Sequence, residues 1–276
     1  MRLFAFALSI LTVFASAPAT LHAGESAWQD HQGMLETRIV SASADMGGAD
    51  GSLFAWEARL APGWKTYWRS PGEAGLPVRV QLEGQPIELE FPFPDRFELF
   101  GLETYGYANK VLLPFYAEVE RGQPLTVTSD FMVCKDICVP FVARYKLEPA
   151  DIAPERSVHD FRIETWLGQV PDRKGEADVG LRIISAQVMG TPGHQRVIVE
   201  AVADTDLSNA DMLAEAGEMF HFAAPQMRLL ENGEKARFVL LGMTGKKPED
   251  LRGKTVRLTF TDGHGHAIDR KVKLEP

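Results

Sequence analysis

Cysteine is almost missing from this chain. Two occur in 276 residues, Cys134 and Cys138, so any sulfur chemistry rests on a single pair. Long apolar runs are equally scarce. Leu3 to Phe14 forms one of about twelve residues, and no later segment approaches the about 20 apolar residues of a membrane-spanning helix. There is no excess of positive charge. The formal net charge of −9 would be repelled by nucleic-acid phosphates, and the acidic residues are scattered as on an ordinary solvated surface. Helical periodicity is nearly absent, as are fixed-period repeats and low-complexity tracts. No glycine-rich loop follows a strand to cradle a phosphate, and no Ser-His-Asp set stands out. His22 falls in the N-terminal segment. His31, His159, His194, His221, His264 and His266 are isolated or far along the chain from the cysteines. His264-Gly265-His266 reads as an exposed hairpin tip in preference to a metal site.

The N-terminal run has the form of a secretory signal peptide over residues 1–23. Arg2 supplies the positive end, the apolar stretch follows, and small residues offer cleavage after Ala17, Ala19 or Ala23. Pro18 and the polar residues beyond it cut the run short of a membrane anchor. The mature protein is therefore expected to be exported and soluble, with the bacterial periplasm as its destination. About 250 mature residues, within a chain that is 45% hydrophobic, suit two domains of about 100–130 residues each.

Most of the sequence alternates with the period of a strand. In Ser52 to Leu60, the residues Phe54, Trp56, Ala58 and Leu60 share one face, better explained as core than as a binding surface. Trp64 to Arg69, Val78 to Leu82, Ile87 to Phe91, Val111 to Val119, Leu125 to Val133 and Val142 to Leu147 follow as short strands between Pro, Gly and Asp breaks. Pro149 to Pro154 reads as a linker. Ser157-Val158-His159-Asp160 resembles a capping box opening a short helix to about Gly168, and Pro171 to Asp178 is again loop-like. Strands return over Val179 to Val188, Arg196 to Ala203, Met219 to Leu230, Ala236 to Leu241, Val256 to Thr261 and Ala267 to Leu274, with Asp262-Gly263 as a turn. The expected fold is all-β: two immunoglobulin-like sandwiches, 28–150 and 179–276, joined by a linker with a short helix over 151–178.

The cysteines lie in Met132-Val133-Cys134-Lys135-Asp136-Ile137-Cys138-Val139-Pro140. In an oxidising compartment such neighbours default to a disulfide. An extended strand would hold positions i and i+4 about 13 Å apart. A disulfide needs Cα atoms within about 4.4–6.8 Å, so Lys135 to Ile137 must bend, which brings the sulfurs to the rim of a sandwich. Three roles stay open: staple, metal clamp and redox switch. Closing so short a loop removes only about 2 kcal/mol of unfolded-chain entropy, against about 4.7 for a 100-residue loop, which weakens the staple. Two thiolates with the Met132 thioether would suit Cu(I). The CxxxC-Pro pattern is similar to that of Sco-type copper chaperones, whose thioredoxin-like scaffold this sequence does not show. For exchange, a thiolate attacks one sulfur and a mixed disulfide forms. Lys135 would favour a thiolate and Asp136 oppose it.

Four segments occur in order: Gly63-Trp-Lys-Thr-Tyr-Trp-Arg-Ser-Pro-Gly72, Phe100-Gly-Leu-Glu-Thr-Tyr-Gly-Tyr107, Val111-Leu-Leu-Pro114 and Val133 to Pro140. This series resembles the N-terminal domain of the DsbD thiol:disulfide interchange proteins, and more closely their ScsB-like branch, associated with tolerance of copper stress. The resemblance covers residues 30–150 and extends loosely beyond. It implies an immunoglobulin-like domain whose pair, Cys134 and Cys138, takes electrons from a thioredoxin-like or membrane donor and passes them to periplasmic disulfide-containing substrates. It needs no cofactor. It also implies a cap over the pair, with Phe100 as the matching residue, Tyr105 and Tyr107 in the same loop, and Trp68 as an aromatic near the cysteines. The best-known members space their cysteines further apart and continue into a multi-helix membrane domain and a CxxC domain. With neither before Pro276, donor and acceptor are expected to be separate proteins. A periplasmic Cu(I)-binding protein and a binding module with a structural disulfide stand as alternatives.

Overall fold

The computed structural model describes residues 24–48, 51–120, 122–173, 175, 179–217, 220–244 and 249–275. The expected signal segment lies outside the described residues. In the first half, β1 (Gln29–His31), β2 (Leu35–Ser41), β3 (Ser52–Leu60), β4 (Lys65–Gly72), β5 (Arg79–Leu82), β6 (Gln85–Ile87), β7 (Asp95–Leu99), β8 (Leu102–Ala108), β9 (Lys110–Ala117), β10 (Leu125–Cys134) and β11 (Cys138–Leu147) build two antiparallel sheets. One runs β1-β2-β3-β9. The other runs β6-β5-β10-β4-β8-β7, with β11 also paired to β10.

The period-two pattern explains the core between them. Phe54 and Trp56 on β3 lie beside their register partners Phe115 and Leu113 on β9, and with Ala58 they pack in one core with Phe131 and Val133 on β10 of the other sheet. Phe54 stacks on Phe115 at 5.5 Å. The Trp56 indole N–H donates to the Tyr145 hydroxyl at 3.1 Å, so the buried ring leaves no orphan donor.

Helix α1 (Asp160–Leu167) lies on the outer face of the first sheet and buries Ile163 against Val40, Leu53 and Leu112. Its start is not a capping box. His159 occupies the cap position, and its side chain makes no capping bond. Ser157 instead donates to the Ser41 carbonyl at 2.6 Å, and Asp160 accepts from the Ser43 amide at 2.8 Å. Ser157 Oγ also accepts from the His159 amide at 3.1 Å, while Asp160 is engaged by Ser43, so the reciprocal pair of a capping box does not form.

The second half contains β12 (Leu181–Met189), β13 (Arg196–Ala203), β14 (Asp211–Glu215), β15 (Phe220–Phe222), β16 (Gln226–Leu230), β17 (Lys235–Thr244), β18 (Thr255–Thr261) and β19 (Ala267–Lys273). They form a sheet β12-β13-β17-β15, with β16 also on β17, and a second sheet β14-β18-β19. The single strand expected over 219–230 is divided in two, because Pro225 offers no amide for a ladder. The strand expected over 87–91 is only the tail of β6, with Pro92 and Pro94 closing the segment beyond it. The chain is thus all-β, two sandwich domains with a short helix between them.

The halves touch through arginine–carboxylate pairs. Arg69 on β4 bonds Glu215 (2.6 Å) and Asp269 (3.0 Å), and Arg96 on β7 bonds Asp211 (2.6 Å). Leu213 of β14 joins the core of the first domain.

Candidate functional site

Cys134 ends β10 and Cys138 begins β11, and the two are register partners across the hairpin. Lys135, Asp136 and Ile137 make its turn, with the Lys135 amide donating to the Ile137 carbonyl at 3.1 Å. This bend brings the Cα atoms to 4.2 Å, and the pair is joined as a disulfide. The two cysteines are not equivalent. Cys134 is 1% exposed, whereas Cys138 is exposed.

Strand alternation sets what surrounds them. Cys134 and Met132 point away from the sandwich core, while Phe131 and Val133 point into it. On the neighbouring β4, Tyr67 faces the cysteine side and Trp68 the core. Tyr67 and Leu99 are buried together with Cys134, and Met132 packs against them. The Tyr67 hydroxyl donates to Cys134 Sγ at 2.8 Å and lies 3.7 Å from Cys138 Sγ. Burial raises the pKa of this phenol, so it remains a donor through neutral pH and above. Lys65, register partner of Cys134, holds its ammonium over the Phe97 ring at 4.5 Å.

Two segments roof the site. A loop after β4 lays Gly75 on the Tyr67 ring so closely that a Cβ there would sit 2.3 Å from a ring carbon, and its φ of +111° also requires glycine. The β7–β8 hairpin supplies Leu99. Its turn residues Phe100 and Gly101 have φ of 54° and 77°, the positive values of a type I′ turn. A phenylalanine in this region is unusual, and such backbone clusters at functional sites.

The sequence led us to expect a bend bringing the cysteines to a sandwich rim, and the family resemblance implied a cap loop over them. It also named Phe100, Tyr105, Tyr107 and Trp68 as shields. Phe100 stands at the hairpin tip, 68% exposed, and the residue buried on Cys134 is its neighbour Leu99. Trp68, Tyr105 and Tyr107 face the other way, into the core of the first domain. Trp68 meets Tyr105 edge-on, and Tyr107 donates to the Pro92 carbonyl at 2.8 Å. Tyr67 and Leu99 were missed. The signal for Tyr67 was its parity: adjacent to a core tryptophan on a strand, it has to face the opposite side. His266, in the second domain, bonds Asp262 at 3.1 Å in the β18–β19 turn. Among the described residues, no group of three or more His, Cys, Asp or Glu side chains is arranged to hold a metal.

Residues 35–149 match the family model "Thiol:disulfide interchange protein DsbD, N-terminal", and residues 169–275 match a domain of unknown function, DUF8393. No curated protein sequence matches the chain. Among solved structures, the crystal structure of the N-terminal periplasmic domain of ScsB from Proteus mirabilis superposes with a TM-score of 0.74 at 18% identity. The match covers 92% of this chain and 99% of that one. At that identity the likeness is one of fold, and it spans both sandwiches. The disulfide and its register agree with the family match, and residues 35–149 form a DsbD N-terminal-like domain.

Proposed function

We propose that the protein is a periplasmic thiol–disulfide relay in which Cys134 and Cys138 cycle between disulfide and dithiol. The observation that carries this is the asymmetry of the pair, one cysteine exposed and the other buried beneath a tyrosine hydroxyl. A partner thiolate attacks Cys138 Sγ. A partner–Cys138 disulfide forms, the Cys134–Cys138 bond breaks, and its electron pair leaves on Cys134. The Tyr67 O–H is already aimed at that sulfur and stabilises the developing charge with no rearrangement. The partner's second thiolate then attacks its own sulfur in the mixed disulfide and releases Cys138. Two electrons have passed to this pair, and the partner dithiol has become a disulfide. In the forward direction the Cys138 thiolate attacks a substrate disulfide, Cys134 displaces the substrate's sulfur, and the substrate leaves reduced.

The surface around Cys138 suits such partners. Ile137, Phe100, Leu102 and Leu76 are the exposed apolar side chains of the segments that frame the disulfide. A thioredoxin-like donor or a disulfide-bearing substrate would dock on them, with Phe100 as the contact that draws the hairpin aside. Location in the periplasm is supported by the fold shared with a periplasmic domain and by the N-terminal sequence.

Trapping tests the assignment. In Cys134→Ala, the exposed Cys138 should accumulate mixed disulfides with donor or substrate proteins. Cys138→Ala, which leaves only the buried thiol, should accumulate far fewer. If neither variant traps a partner, the relay is wrong. Met132 packing beside Cys134 favours one second reading, a Cu(I) site in the reduced protein. It predicts one Cu(I) per reduced chain, lost in Cys134→Ala, and titration with a competing chelator decides it.

A further inference from the structure

The β7–β8 hairpin is held at both ends. At its tip Leu99 is buried on Cys134 and Tyr67. β7 is an edge strand, with β8 as its sheet neighbour, so the sheet supports it on one side only. The other domain supplies the remaining support. Arg96 donates to both carboxylate oxygens of Asp211 (2.6 and 2.9 Å) and to the Met212 carbonyl (2.8 Å). Glu103 on β8 accepts from Arg96 with one oxygen and from the Ala224 amide (3.2 Å) with the other. The Tyr105 hydroxyl reaches the Phe222 carbonyl at 3.2 Å.

The same Glu103 governs the second half of the roof. Its amide donates to the Glu73 carboxylate at 2.7 Å, and its carbonyl accepts from the Glu73 amide at 2.9 Å. Two residues later Gly75 lies on the Tyr67 ring. An unbroken series of contacts therefore runs from the second domain through Glu103 and Glu73 to Tyr67 and the sulfur of Cys134. A cavity of about 400 Å³, lined by Arg96, Phe97, Gly101, Glu103 and Ala223, lies beside the hairpin and leaves it room to move.

We propose that the second domain is a clamp on the roof of the disulfide. By gripping Arg96 and Glu103 it holds Leu99 and the Gly75 loop over Cys134, and so sets how readily a thiol reaches the pair. Arg96 and Glu103 are positioning residues in this scheme, since neither touches a sulfur. The proposal rests on the exchange-active disulfide described above. It also explains why an exchange module carries a second sandwich without cysteines.

The test uses the full chain and dithiothreitol as the thiol probe. Asp211→Ala removes the main grip on Arg96 from the second domain and leaves the first domain unaltered. The comparator is Arg173→Ala, which breaks a linker contact to Glu88 and Glu90, away from the hairpin. Asp211→Ala should speed disulfide reduction about fivefold, the change in an opening equilibrium when roughly 1 kcal/mol of support is lost. It should also quicken amide hydrogen exchange at residues 99–104. Arg173→Ala should stay within about twofold of the parent. Asp211→Asn, which keeps the side-chain size and one acceptor, should fall between and stands in if the alanine variant does not fold. Equal acceleration by Asp211→Ala and Arg173→Ala, or no change in either readout for Asp211→Ala, overturns the clamp. A parent disulfide that dithiothreitol does not reduce would instead count against the relay, and hydrogen exchange would still decide the clamp.

Discussion

At the scale of single residues, the chemistry depends on what each side chain presents to a sulfur. Cys138 offers access, Cys134 offers a protected leaving group, and Tyr67 offers one hydrogen bond to it. A hydrogen bond to a charged acceptor contributes about 1.5–3 kcal/mol. In Tyr67→Phe the reduced state loses that support for the Cys134 thiolate, while the disulfide, a weak acceptor, loses little. The reduction potential should therefore become more negative, by roughly 30–60 mV for a two-electron couple. The Cys134 thiol should also titrate at higher pH, read from thiolate absorbance. An unchanged potential would mean that the hydroxyl is only filling space. The burial-raised phenol pKa keeps this effect constant across neutral pH, so Tyr67 adds no ionisation of its own there.

At the scale of elements, helix α1 is held by charge as well as by Ile163. Arg162 and Arg38 share the buried Glu57, and His159 Nε2 lies 2.7 Å from Glu25. Burial first, and then the nearby Arg38 and Arg162 charges, lower the His159 pKa, with Glu25 opposing them. His31, packed between Phe131 and Phe141, is lowered mainly by burial. A histidine with a lowered folded-state pKa takes up its proton more readily when unfolded. Its contribution to stability is present above the unfolded value of about 6.5 and is lost as pH falls through the folded value. Urea unfolding should show stability falling from pH 7 to pH 5, and His159→Gln should remove part of that slope. β3, β10 and β13 were legible in the sequence almost to the residue: β10 and β13 alternate between a buried and a more open face, and β3 places its large side chains on the core face although helix α1 covers the other. β7 and β8 were not. Their charged residues Arg96 and Glu103 look solvent-facing until a second domain is present to bind them. The hairpin turn at the cysteines was legible because a disulfide cannot span an extended CxxxC. Which hairpin residue lies on Cys134 was not, since Leu99 and Phe100 differ by one position and only the turn geometry separates them.

At the scale of the whole molecule, two sandwiches divide the work. The first carries the disulfide, and the second, without cysteine, braces the elements that roof it. Arg69 and Arg96 carry this connection on β4 and β7, the strands that also supply Tyr67 and Leu99 to the site. A disulfide used only as a staple would have no need of an exposed cysteine, a buried one and an apolar rim at one place. The central claim is that this bond is made and broken in use, and its reduction potential tests that most directly. Equilibration of the full chain against graded thiol–disulfide buffers, with the dithiol fraction read by alkylation and mass, should give a value above about −300 mV, in the range of exchange-active pairs. A value below that, with the bond resisting reduction, would mark an inert structural disulfide and contradict the account.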